Sequence, residues 1–257
     1  MVYALVTGAS KGIGKAIAVE LASRGHHLLL ISRSGDVLKE LAADIKNKYA
    51  VEVLWFQADL SNENGVKEVL DWCNQNLYQI NILVNNAGYG LSGRFDEMPL
   101  PDQLNMMQLN MNCLVQLCYL FLPQLKQQQQ SYILNIASSS AYQALPLMAV
   151  YAASKSFVLQ FSRALTLELK KTSVSVTCIS PGATDTDFVK RASIKEKALK
   201  AAKKVNMTPA AVAKIAVDSM YSKKTEIITG FINKAGAFLV WLLPKTLAEK
   251  TAMKIYE

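Results

Sequence analysis

Short runs of consecutive apolar residues alternate along this chain with longer stretches whose apolar positions recur every three or four residues. Residues 2–6 form the first run and end in Thr-Gly; a helical pattern over 13–24 follows and is stopped by Gly25. The same pairing repeats: strand 28–32 with helix 37–48, then strand 51–58 with a helix that Ser61 would cap and that ends near residue 77. A fourth strand over 82–84 precedes a long apolar-rich helix over about 102–122, expected to stop near Pro123. Strand 132–137, helix 151–170, strand 174–179, a helix opened by Thr208-Pro209 and reaching about Tyr221, and strand 226–229 complete the series. The glutamines 127–130 read as a solvated turn before the fifth strand. Such alternation builds βαβ units, hence a parallel sheet of seven strands with helices on both faces. With right-handed crossovers the sheet is doubly wound, and ligands bind beyond the C-terminal ends of its strands. No internal repeat or linker interrupts the series, so residues 1–257 are expected to fold as one α/β domain of Rossmann type.

Composition narrows the partners. Half the 257 residues are apolar (51%) and 19% are charged, enough apolar mass to exclude disorder. The formal charge is +8, but seven cations lie between Lys190 and Lys204 with only Glu196 against them. Aromatic residues are not interleaved with those cations, so a nucleic-acid partner is not expected. The N-terminus lacks a basic region followed by a cleavable apolar stretch, and the apolar run 235–243 is about half as long as a bilayer-spanning helix. Cys73, Cys113, Cys118 and Cys178 show no metal-ligand spacing, so no metal is expected, and four buried reduced thiols suit a cytoplasmic protein.

Between the first strand and first helix stands Thr7-Gly8-Ala9-Ser10-Lys11-Gly12-Ile13-Gly14. Glycines here permit a tight turn and close approach of a pyrophosphate to the helix N-terminus. The spacing Gly-x3-Gly-x-Gly differs from the common Gly-x-Gly-x-x-Gly fingerprint. An NAD site usually places an acid at the end of the second strand, where this chain has Ser32-Arg33-Ser34. Arg33 can clamp a 2′-phosphate and Lys11 can reach the same group, so NADP(H) is expected over NAD(H).

Tyr151 and Lys155 stand at i and i+4, neighbours on one helical face. A nearby cation favours phenolate, which suits a general acid or base. Ser138 closes the fifth strand, where its hydroxyl would project beyond the sheet edge. Thr7-Gly8-x3-Gly12-x-Gly14, Asn85-Asn86-Ala87-Gly88, Ser138, Tyr151-x3-Lys155 and Pro181-Gly182 follow one another as in the short-chain dehydrogenases/reductases, which the chain resembles over about residues 1–190. The resemblance implies that Tyr151 is the general acid/base, that Lys155 lowers its pKa and binds the nicotinamide ribose, and that Ser138 polarises the substrate carbonyl. It also implies Asn110 as a fourth catalytic residue holding a water, with Cys113 where the family usually has glycine. Gly8, Ser10, Lys11, Gly12, Ile13, Gly14 and Arg33 then line the phosphate side of the cofactor, and Asp59 and Leu60 its adenine. Asn86, Ala87, Gly88, Pro181, Gly182, Thr184 and Thr186 follow along the nicotinamide cleft, while Asn85 ties the sheet together.

Tyr89, Leu91, Phe95, Tyr142, Leu145, Leu147 and Met148 either form an apolar substrate pocket or pack their own loops. A substrate lid is expected over about 183–208. Within it Ile194, Ala198, Ala201 and Val205 recur at helical spacing and Ser193 with Glu196 makes a capping box. Its basic face is solvated, recognises an anionic carrier such as coenzyme A or acyl carrier protein, or meets anionic lipid at a membrane periphery. The extension 231–257 either covers the pocket, packs on a partner subunit or touches a membrane. The resemblance implies a homodimer or homotetramer. The reaction expected is NADPH-dependent interconversion of a carbonyl and a secondary alcohol on an apolar molecule. The alternatives are a 3-oxoacyl thioester reductase of fatty-acid metabolism and a catalytically silent dinucleotide sensor.

Overall fold

The computed structural model describes residues 1–184 and 206–256. Seven strands, all parallel, form one sheet in the order β3-β2-β1-β4-β5-β6-β7. They are β1 (Val2–Thr7), β2 (His27–Ser32), β3 (Val53–Gln57), β4 (Gln79–Asn85), β5 (Ser131–Ile136), β6 (Val174–Ser180) and β7 (Glu226–Ile228). The order reverses between β1 and β4, the switch point at which a doubly wound sheet opens a crevice. The central strands read as unbroken apolar runs because both of their faces are buried. In β1, Tyr3 and Leu5 join one half of the core, and Ala4 and Val6 join the other.

α1 (Gly12–Ser23), α2 (Gly35–Lys48) and α7 (Pro209–Tyr221) cover one face. α3 (Gly65–Gln75), α5 (Cys113–Gln127) and α6 (Ala149–Glu168) cover the other. The four cysteines are buried and unpaired, and burial pushes each thiol up to about 12.

Several elements depart from the sequence expectation. The middle helix runs through Pro123 to Gln127, because Leu117, Phe121 and Leu125, four residues apart, are buried on one face and hold it across the lost hydrogen bond. It is also not one α-helix: α4 (Leu100–Met107) passes through a π-turn, Gln108–Asn112, into α5. Ser61 caps nothing. Its hydroxyl and backbone N–H both donate to Asp59, and α3 begins only after Asn64. Gln130 is not simply solvated, since its amide donates to the carbonyls of Ser131 and Ser173 and fastens β5 to β6. The tail folds as α8 (Phe231–Leu242) and α9 (Lys245–Tyr256). Of the expected lid, Thr184 and Met207 pair as a parallel bridge and Met207 N–H donates to Ala183. The basic stretch and its capping box lie outside the described residues.

One buried polar chain crosses the sheet. Asn85 Nδ2 donates to Asn135 Oδ1 (2.8 Å), Asn135 Nδ2 to Ser162 Oγ (2.9 Å), and Ser162 Oγ to the Val158 carbonyl (2.7 Å). These bonds tie β4 to β5 and β5 to α6, the strands and helix that carry the site. Asn135→Ala leaves the buried Asn85 amide donor without its acceptor and Ser162 Oγ without the hydrogen bond it accepts, and should cost about 2 kcal/mol. Urea denaturation should show a lower midpoint at unchanged slope; an unchanged midpoint would remove the chain from the stability of the sheet.

Candidate active site

The loop after β1 is shaped by steric exclusion. Gly8 and Gly12 take φ of 63° and 59°, the left-handed region. A Cβ on Gly14 would run into the Gly8 carbonyl and the Asn86 amide, so α1 sits against the loop at a distance only glycine allows. Asn86 Nδ2 donates to the carbonyls of Thr7 (3.0 Å) and Gly8 (3.2 Å). In return Thr7 Oγ1 accepts from the N–H groups of Asn86 and Ala87 and donates to the Val84 carbonyl. The ends of β1 and β4 are thereby stapled at the switch point, with Ser10, Gly12 and Ile13 half-buried around the start of α1. No side chain caps the first N–H groups of α1, which leaves them directed at the crevice.

At the end of β2, Arg33 lies 3.8 Å from the Asp59 carboxylate, and Leu60 is buried behind it. Burial works to raise the Asp59 pKa, but the Ser61 hydrogen bonds and the Arg33 charge outweigh it and hold the carboxyl below its ordinary value. Arg33 is half exposed (49%), so its guanidinium is accessible beside Asp59.

Across the crevice, α6 brings Tyr151 and Lys155 together, with the lysine Nζ 6.0 Å from the centre of the phenol ring. Both side chains are buried. Lys155 Nζ donates to the Ile136 carbonyl at the end of β5 (2.9 Å), and burial drives its pKa down to about 8. The π-turn presents Asn110 inward. Its Oδ1 accepts from Tyr89 N–H, while its Nδ2 donates to the Tyr89 carbonyl and to Ser154 Oγ. Ser154 Oγ donates in turn to the Tyr151 carbonyl. A Cβ on Gly88 would meet Asn110 Oδ1 at 2.8 Å and Lys155 Nζ at 3.5 Å, so that glycine keeps the approach to the amine open.

Ser138 lies just beyond β5, half-buried and extended, and its Oγ accepts from Ser140 N–H to start the 3-10 turn Ser139–Tyr142. Ser156 of α6 donates to the Ala141 carbonyl and fixes that turn against the helix carrying Tyr151. Tyr142 donates to Glu226 on β7, which also accepts from Arg163, and burial is the first cause of the raised Tyr142 pKa. Pro181 is buried, and Thr184 Oγ1 donates to the Gly182 carbonyl. Thr186 lies outside the described residues. Of the apolar loop residues, Tyr89, Leu145 and Met148 pack into the core, Leu91, Tyr142 and Leu147 are half-buried, and Phe95 is exposed.

Three contributors escape a reading of the sequence. Ser154 is visible inside Tyr151-Ala152-Ala153-Ser154-Lys155, but only the fold shows it bridging Asn110 to the tyrosine's backbone. Leu147 holds a left-handed φ of 65°, and its carbonyl accepts from Gly93 N–H, joining the loops after β4 and β5. Asn233, at the start of α8, crowds Gly182 and donates to the Thr229 carbonyl. A crevice with a glycine-walled anion cradle at one end and a paired phenol and amine at the other fits a dinucleotide stretched between them. At the second end the Tyr151 phenol lies beside the buried Lys155 amine.

Known proteins agree with this geometry. The short chain dehydrogenase family model matches residues 2–197. Very-long-chain 3-oxoacyl-CoA reductase-B of Danio rerio is 35% identical over 190 residues, 70% of this chain but only 58% of that protein's length. An uncharacterised oxidoreductase of Staphylococcus epidermidis is 33% identical over 71% of this chain and 78% of its own. Among solved structures, a short-chain dehydrogenase of Sphingobium yanoikuyae in complex with NADPH superposes with a TM-score of 0.82 at 28% identity, covering 95% of this chain and 97% of that one. The chain belongs to the short-chain dehydrogenase family.

Proposed function

We propose that the protein uses NADPH in preference to NADH to interconvert a carbonyl and a secondary alcohol on an apolar substrate. The observation that carries this reading is the Tyr151–Lys155 pair, a buried phenol beside a buried amine whose charge is held at the C-terminal end of β5. When bound, the nicotinamide supplies or takes up a hydride. The α1 N-terminus and its glycine loop would hold the pyrophosphate, and Lys11 with Arg33 the 2′-phosphate. Asp59 and Leu60 would border the adenine, and Asn86, Ala87, Gly88 and the 181–186 segment the nicotinamide. In reduction, negative charge builds on the carbonyl oxygen as its carbon accepts the hydride. Ser138 donates a hydrogen bond to that oxygen and Tyr151 gives it a proton. Lys155 stabilises the phenolate left behind, which regains its proton from solvent. Asn110 and Ser154 position the helix turn that carries Tyr151.

A narrower reading, a 3-oxoacyl thioester as substrate, draws support from the activity for which the Danio rerio relative is named. Comparing kcat/KM for acetoacetyl thioesters and for free ketones separates the two readings. A silent dinucleotide sensor is disfavoured by the joint presence of Ser138, Tyr151 and Lys155.

Tyr151→Phe should lower turnover by about 10²–10⁴-fold while leaving NADPH affinity, read by fluorescence titration, close to wild type. Near-wild-type turnover would remove Tyr151 from the chemistry. Arg33→Ala should lower kcat/KM for NADPH by about ten- to a hundredfold and leave that for NADH nearly unchanged; equal losses with both would show that the guanidinium does not read the 2′-phosphate.

Lys155→Met should abolish turnover yet stabilise the cofactor-free protein at pH 7, by on the order of 1–3 kcal/mol. The lysine's folded pKa, about 8, lies below its ordinary 10.5, so the cost of the buried charge is full below pH 8. That cost fades as pH rises toward 10.5, and the gap between variant and wild type should close over the same window in urea titrations. A variant less stable than wild type at pH 7 would mean that the Ile136 carbonyl more than compensates the buried charge.

A further inference from the structure

α8 carries two opposed faces. Ile232, Asn233, Gly236, Ala237 and Val240, with Ser139, Tyr142 and Gln143, line an open recess of about 180 Å³. Phe231, Lys234, Phe238, Trp241 and Leu242 recur at i, i+3, i+7, i+10 and i+11 and share the outer face. No residue of α8 is buried; Phe231 is 85% exposed and Trp241 78%. Phe238 and Trp241 lie with ring centroids 5.9 Å apart, and the apolar surface continues through Leu243 to Leu247. A contiguous exposed apolar face of this kind marks an interaction site. The helix pair is not loosely appended, since Ala248 and Ala252 of α9 are buried and Ala252 joins the main core.

The charges beside this face identify the partner. From residue 231 to 254 there are four exposed lysines, Lys234, Lys245, Lys250 and Lys254, against one acid, Glu249. A second copy docked face to face would bring lysines against lysines, which opposes association. An anionic headgroup layer would neutralise them while the aromatic rings enter the boundary below. At twelve residues each, α8 and α9 are too short to span a bilayer, and among the described residues no helix is long and apolar enough to cross a membrane. We propose that the outer face of α8, with the lysines of α9, docks the protein on the surface of an anionic lipid bilayer. This proposal stands on the exposed face and its charges and does not depend on which substrate the crevice takes.

The full chain, mixed with phosphatidylcholine vesicles with or without about one-third phosphatidylglycerol, tests it by co-sedimentation. Wild type should sediment with the anionic vesicles at least tenfold better than with phosphatidylcholine alone. Removing Lys245, Lys250 and Lys254 as alanines should weaken that partition by roughly fivefold per lysine at low salt. Phe238→Glu with Trp241→Glu should abolish it without lowering the melting temperature, because both side chains are exposed. A blue shift of tryptophan emission on anionic vesicles should disappear in Trp241→Phe, although Trp55 and Trp72 remain. Wild type left in the supernatant overturns the proposal, as does a Phe238→Glu/Trp241→Glu protein that sediments normally. Light scattering gives the remaining outcome: an oligomer that the double variant splits, with no vesicle binding by wild type, would make the face a contact between copies.

Discussion

The site is organised around one uncomfortable placement: a lysine amine enclosed in the protein with the Ile136 carbonyl as its hydrogen-bond acceptor. Burying a charge destabilises the fold unless it is held by well-placed dipoles. The carbonyl at the end of β5 is such a dipole. Around this contact, α6 must approach the ends of β4 and β5 closely. The Asn85–Asn135–Ser162 chain provides that approach with hydrogen bonds where apolar side chains would allow sliding. Gly88 lies open beside the amine for the same reason, and the π-turn at Asn110 completes the enclosure from the other side.

The π-turn shows how a local irregularity serves the site. A regular helix fixes side-chain directions at about 100° per residue, so one extra residue in a turn re-aims everything at that level. Here the residue re-aimed is Asn110, whose amide spans the Tyr89 backbone and Ser154. Its side chain thus couples the loop after β4 to the turn of α6 that bears Tyr151. Such π-turns concentrate at functional positions because their poorer hydrogen bonding must be offset by what they position.

Much of this architecture was legible in the chain, and the illegible parts have physical causes. Parallel strands buried on both faces print themselves as apolar runs, so the seven strands and their alternation with helices were readable without coordinates. The juxtaposition of Tyr151 and Lys155 follows from helix geometry alone. Gln108-Leu109-Asn110-Met111-Asn112, by contrast, contains ordinary helix residues, and nothing in it signals a π-turn. Pro123 misled because the penalty of one lost hydrogen bond is smaller than the burial of Phe121 and Leu125 around it. Local propensity makes Ser61 a cap and Gln130 a solvated turn residue, whereas Ser61 is engaged by Asp59 two residues upstream and Gln130 by the Ser173 carbonyl just before β6. Asn233 escaped altogether, since its meeting with Gly182 depends on how the tail folds back.

That fold-back gives the tail a role in the geometry of the crevice. α8 starts where Asn233 presses on Gly182 and leaves along the Ser139–Gln143 turn, so its inner face begins at the segment that the family uses around its cofactor. Between Ile232, Asn233 and Val240, Gly236 and Ala237 present little side chain, which leaves a recess against the Ser139–Tyr142 turn. Filling the inner face with larger residues would seat the helix more firmly and close that space. An amphipathic helix normally turns its large apolar residues toward the core; α8 instead leaves Phe231, Phe238 and Trp241 exposed. The exposed aromatic surface and the recess against the Ser139–Tyr142 turn thus belong to opposed faces of one helix, so any shift in how α8 seats changes both.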